Sequence, residues 1–483
     1  MTNRPRAVFC GLLALAASLT AARADEPVSG LRLQDVLDSA RVHYPGIVQG
    51  LAARRVAAGR LTEAAGEFDL VFAAEGFSRL GGFYDGTAVE GTVRQPLRPL
   101  GGSLYAGYKL SDGTFPVYED ERYTNTGGAV KVGLLFSLLR DRNIDERRFR
   151  QADAYLEARE ADFDLLLTRI GVQQRALGAY WRWVAAGRQL AVYRDLLRIA
   201  LERRDGLTEQ VARGARARIF LTENQQNITR RRIRVMMAER DLAMAANRLS
   251  LYYRDESGTP VVPSYAALPP SEANAPSRGL PPPAGAVSDA LNRRPELELL
   301  RLAIEREQRR IELRANDLRP RLDLNLELRQ PLGSVAEGGP SRDTTDTVLG
   351  FTFSVPLQQR RAEGRLLQSR AEVDAMRAER RLVADRIELE VRNLLLDLEV
   401  SERLLSLAEQ EVEQAELLRK AEVRRFESGA SDFFLVNLRE EAAADARIRY
   451  LDAELTARIA RGSYDAATVN LSRLGLEGAA SAL

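Results

Sequence analysis

The chain has 483 residues, with 70 Lys and Arg against 68 Asp and Glu, a formal charge of +2, one cysteine and one histidine. So even a balance leaves no basic footprint for nucleic acid. Cys10 and His43 are too few and too far apart for disulfides or a zinc site, so the chain is expected to bind neither metal nor cofactor.

In chain order, Arg4 and Arg6 precede an apolar run at 7–19 and the small-x-small site Ala22-Arg23-Ala24. That is the layout of a secretory signal, and it predicts cleavage before Asp25. About a dozen apolar residues are too few to cross a bilayer as a helix, which takes roughly 20. Residues 1–24 are therefore expected to be an export address that takes Cys10 with it, without a lipid anchor. Losing Arg4, Arg6 and Arg23 leaves a mature charge of 2 − 3 = −1. No later stretch is apolar enough for a membrane helix, so a membrane form of the mature chain must be a closed β-barrel.

The remainder reads as two copies of one plan, residues 25–259 and 287–475, with a Pro-rich connector at 260–286 and a tail at 476–483. A-R-V-H-Y-P at 40–45 matches A-L-N-R-R-P at 290–295. Strands are expected at about 68–79 and 127–139 in the first copy, and at about 318–330 and 346–356 in the second. The third of these is clearest, because Leu322, Leu324, Leu326 and Leu328 alternate with Asp323, Asn325, Glu327 and Arg329. An insertion at 80–126 carries two further strand-like pieces, 87–95 and 103–110, around the turn glycines Gly101 and Gly102. Both a lengthened sheet and a separate hairpin fit it. Long helices follow each pair of strands, to about 255 in the first copy and at 361–427 and 431–471 in the second. A glycine, Gly214 or Gly429, breaks each pair.

On the 361–427 helix, Ile387, Val391, Leu394, Leu398, Ser401 and Leu405 repeat at spacings of four and three, the seam of a left-handed coiled coil. Leu389, Leu396 and Leu404 form a second stripe, so the helix is expected to touch neighbours on two sides. At 1.5 Å per residue it would run on the order of 100 Å, long enough to bridge a periplasm.

The tandem plan resembles the TolC-type outer-membrane efflux proteins over nearly the whole mature chain. Leu33, Val36, Leu37, Ala40 and Pro45 fit the family's opening motif. Pro356-Leu357 before Arg360-Arg361 fits its strand-to-helix junction, and Arg425-Phe426-Glu427-Ser428-Gly429 its helix turn. The resemblance implies a mainly α fold with a smaller antiparallel β part. It implies a homotrimer whose protomers each give four strands to a twelve-stranded barrel in outer-membrane lipid, continued by a periplasmic α-helical barrel. It also implies a periplasmic adaptor docked on the helix turns and an inner-membrane pump behind the adaptor. Two departures stand out. The first strand-to-helix junction, Ser137-Leu138-Leu139-Arg140, lacks the proline. At the acidic ring that narrows the periplasmic entrance in the family, this chain has Leu435 and Leu438, with Asp432 and Asn437 as the polar groups nearby.

The candidate docking tip comprises Arg213, Gly214, Arg216, Arg218, Gly429, Ser431 and Asp432; the bland reading of the glycines is that they only end helices. The candidate entrance constriction comprises Asp432, Leu435, Asn437 and Leu438. Phe72, Phe77, Phe351 and Phe353 are candidate lipid-facing or interfacial aromatics, and Trp181 and Trp183 are read as packing between helices. No nucleophile, base or carboxylate pair stands out, so an enzyme is not expected. The leading function is a passive efflux duct. The duct of a type I protein-secretion system and a soluble periplasmic coiled-coil scaffold are the alternatives.

Overall fold

The computed structural model describes residues 30–270, 285–336 and 344–478; the expected export signal, most of the connector and the last five residues lie outside the described residues. Helix α1 (Leu33–His43) ends where Pro45 starts α2 (Pro45–Gly66), with Tyr44 between them at φ −69°, ψ 125°. Proline forbids the helical conformation to the residue before it, while its own missing N–H is harmless in a first helical turn. The second repeat makes the same joint. Arg294, at φ −67°, ψ 121°, separates α5 (Ala286–Arg293) from α6 (Pro295–Asp317).

Six strands follow from the two repeats: β1 (Val71–Ser78), β2 (Thr87–Pro96), β3 (Ser103–Asp112), β4 (Ala129–Ser137), β5 (Arg321–Pro331) and β6 (Asp346–Ser354). They form one antiparallel sheet in the order β1-β2-β3-β4-β5-β6. The expected four strands per chain are therefore six. The insertion supplies β2 and β3, each of which alternates apolar and polar residues between the two faces and is paired with a strand on either side. Register puts Phe72 opposite Val93, Val93 opposite Ala106, Ala106 opposite Val132, Val132 opposite Leu328, and Leu324 opposite Phe351. One face of the sheet is thus apolar across all six strands. The other carries Glu90, Arg94, Lys109, Lys131, Asp323, Glu327 and Arg329, joined by a Lys131–Glu90 ion pair and by Tyr105 donating to Glu327 at 2.7 Å.

Phe77 is a correction. It lies five residues from Phe72, hence on the opposite face, where Phe115 meets it edge-on at 6.2 Å and Arg122 stacks 4.2 Å over its ring. The loop between β3 and β4 folds across this polar face, and Lys109 donates to the Glu121 carbonyl at 2.8 Å. Phe72, Phe351 and Phe353 stand exposed on the apolar face.

Two helices dominate the rest: α3 (Glu146–Ala212, 67 residues) and α7 (Arg360–Glu427, 68 residues), each about 100 Å long. Each turns back into a shorter partner, α4 (Ile219–Leu249) and α8 (Phe433–Ala467). At one level the helices lie side by side in the order α4-α3-α8-α7, and nearer the sheet in the order α2-α3-α6-α7. The core fills the α1-α3-α4 junction around Trp183, Tyr180, Val172 and Leu249. Trp181 lies toward α8, with the Arg458 guanidinium 3.9 Å over its ring. The junction that lacks proline turns instead at Asp141, at φ 67°, and is tied to α6 by a 2.9 Å Arg140–Asp317 pair and by Asp141 N donating to Asn316 Oδ1 at 3.1 Å.

Candidate functional site

The chain forms a single wall with two open edges. Helix α2 runs directly into β1, and β6 runs directly into α7, so one edge consists of β1, α2 and α4 and the other of β6 and α7. Neither β-hairpin folds back on the helices. In a sheet, an unpaired edge is a template for another chain. The helical edge is equally uncovered. On α7 the predicted seam divides: Ile387, Val391, Leu398, Ser401 and Leu405 are buried within the chain, while Leu389 and Leu396 are each 59% exposed and Leu404 51%. The stripe expected to meet a second neighbour therefore has none among the described residues. On the opposite edge α4 exposes Ile233, Met236, Met237 and Met244.

Far from the sheet, both helix turns end in the same device. At Gly214 (φ 73°), Ala215 N donates to Gln210 O at 2.9 Å and Gly214 N to Val211 O at 3.0 Å. At Gly429 (φ 78°), Ala430 N donates to Arg425 O at 2.8 Å and Gly429 N to Phe426 O at 3.1 Å. These are Schellman closures, which need the left-handed backbone that glycine adopts without strain. The turns lie side by side. Arg216 of the first stacks 4.9 Å over Phe426 and 5.6 Å over Phe220, and Phe220 meets the buried Phe433 at 6.3 Å. Thus Arg216, Gly214 and Gly429 of the predicted tip share one end of the molecule. Arg213 pairs with Glu209 at 3.4 Å and remains exposed, whereas Arg218 precedes α4 without capping it through its side chain. Ser431 hydrogen-bonds Glu422, and Asp432 caps α8 by accepting from Leu435 N at 2.8 Å.

Of the predicted entrance residues, Leu438 is exposed and Leu435 half-buried, while Asn437 is buried. Asn437 accepts from Arg203 at 3.0 Å, and Arg203 also reaches Glu440. Glu440 pairs again with Arg231 at 3.1 Å, with both side chains only 1% exposed, and Arg231 donates to the Leu196 carbonyl at 2.8 Å. Burial pushes the Arg231 guanidinium below its ordinary range against the pull of Glu440. This network binds α3, α4 and α8 together just inside the tip, and sequence reading missed it. A signal existed: Asn437 and Glu440 share a helical face with Val436, Ala443 and Ala444, where a polar residue needs a buried partner.

A wall of long paired helices continued by an antiparallel sheet with one apolar face is the fold of the TolC-type outer-membrane channels. Residues 286–474 match the sequence model of the family described as outer membrane efflux protein, so that stretch is similar to the family's sequences. The chain is similar in structure to the CmeC outer membrane channel of Campylobacter jejuni, at 12% identity and a TM-score of 0.62 over 97% of this chain and 93% of that one. It is also similar to the outer membrane protein VceC of Vibrio cholerae, at 15% identity and 0.62 over 90% and 95%. The open-state MtrE channel of Neisseria gonorrhoeae is similar at 16% identity and 0.61 over 91% and 89%. No curated protein sequence matches the chain.

Proposed function

We propose that the protein is the outer-membrane channel subunit of an efflux system, resident in the outer membrane and reaching into the periplasm. Three copies join edge to edge around an axis, β6 and α7 of one against β1, α2 and α4 of the next. The ring forms a passive duct for small molecules or ions. The observation that carries this reading is the pair of uncovered edges, which leaves the apolar stripe Leu389, Leu396 and Leu404 without a partner among the described residues. One kind of contact repeated by rotation closes a ring and leaves no edge. A soluble scaffold would gain nothing from a sheet whose apolar face spans six strands.

In this reading Arg213, Gly214, Arg216, Arg218, Gly429, Ser431 and Asp432 form the tip on which a periplasmic adaptor docks, and an inner-membrane pump behind the adaptor supplies the energy. Asp432, Leu435 and Leu438 sit at the periplasmic entrance. Asn437 supports it from behind by holding Arg203. The test is fractionation of cell membranes followed by single-channel recording from the purified protein. Sedimentation with the outer membrane and discrete conductance steps are expected. A soluble monomer without conductance would overturn the proposal.

A further inference from the structure

We propose that the insertion between the first two expected strands is part of the membrane wall, so that the ring closes as an eighteen-stranded barrel rather than one of twelve. This rests on the channel reading, which supplies the three copies; each brings six consecutive strands to the sheet. The inserted strands behave as their neighbours do. Val89, Gly91 and Val93 of β2 and Leu104, Ala106 and Tyr108 of β3 fall on the same face as Val132 and Leu326, in unbroken register. Opposite them, Glu90 and Lys109 join the polar face, where Glu90 pairs with Lys131 of β4.

Alternation of this kind is what a barrel wall between lipid and water requires, and a hairpin in water has no use for an apolar face continuous with a membrane surface. The turn between β2 and β3 is also built in. Leu97 N donates to the Gly102 carbonyl at 2.8 Å, and a Cβ on Gly101 would lie 2.1 Å from the Asp141 carbonyl. The hairpin is therefore seated against the junction that leads into α3.

With strands ~4.8 Å apart and tilted ~40°, eighteen strands give a circumference of about 113 Å, against about 75 Å for twelve. Each chain still brings four helices side by side at either level of the tunnel. The outer-membrane segment is thereby widened without widening the tunnel, and selection is left to the periplasmic end. The 113–128 loop, folded over the polar face, occupies part of the gain.

Tryptophan fluorescence in nanodiscs containing brominated lipid tests this, using the full-length protein with Val93→Trp, Ala106→Trp, Thr92→Trp or Leu326→Trp. Trp181 and Trp183 sit on α3, away from the sheet. Quenching of V93W and A106W to the same fraction as L326W, with T92W unquenched and a particle mass of three chains, is the expected result. Quenching of L326W alone, or a mass that is not three chains, would overturn the eighteen-stranded barrel and leave the membrane reading standing. If L326W also escapes quenching, the channel reading itself fails.

Discussion

Glu440 and Arg231 are the residues on which the helical wall is most exposed to damage, since each is buried against the other. Removing one partner leaves an uncompensated buried charge, so Glu440→Leu is expected to destabilise the chain by about 3–5 kcal/mol. The double variant Arg231→Met/Glu440→Leu should recover most of that loss, as read from thermal midpoints. Asp465 offers a pH signature. Burial raises its carboxyl above the ordinary carboxylate value, opposed by Arg473 at 3.8 Å. A carboxyl of raised pKa holds its proton to higher pH in the fold than in the unfolded chain. Its contribution therefore favours the fold most below the unfolded value and declines as pH rises through the folded one. Asp465→Asn should gain midpoint relative to the parent at pH 7 and lose that advantage on acidification. Arg231 and Asp465 were not legible in the sequence as special, and Glu440 only through the apolar face it shares with Val436, Ala443 and Ala444, because acids and arginines alternate along every long helix and spacing alone does not say which pair faces inward. Phe77 was legible. An odd separation from Phe72 places the two rings on opposite faces of any strand.

The two turn glycines and Gly101 look alike in sequence yet differ in what surrounds them. Nothing lies within 4 Å of a Cβ placed on Gly214 or Gly429. Alanine there bears only the left-handed backbone, about 1 kcal/mol, and thermal midpoints should fall slightly. Gly101→Ala adds a collision with the Asp141 carbonyl, and loss of the β2–β3 turn should lower the midpoint well beyond the other two. At this scale much was readable. The leucine alternation of β5 and the heptads of α7 announce their period, and proline marks both helix joints. Which strand pairs with which was not readable for β2 and β3. Alternation declares two unlike environments but not the neighbour, and the pairing came only with register.

At the scale of the whole molecule the described chain is a wall with two open edges, and the proposed assembly should be breakable without touching the fold. Leu389→Glu/Leu396→Glu changes side chains already open to solvent. Circular dichroism of the isolated chain should stay as it is while the oligomer is lost on native gels. The Pro-started helix joint and the paired long helices recur in both halves as read from the sequence, whereas the first half carries four strands and the second two; the edges emerged only when the helices were seen to lie in one layer. The most direct measurement is end-on electron cryo-microscopy of the protein extracted from outer membranes. Three copies around a central pore, each lending β1 to the next copy's β6, is the predicted image. A particle of one chain, or a symmetric assembly in which both strand edges stay free, would contradict it.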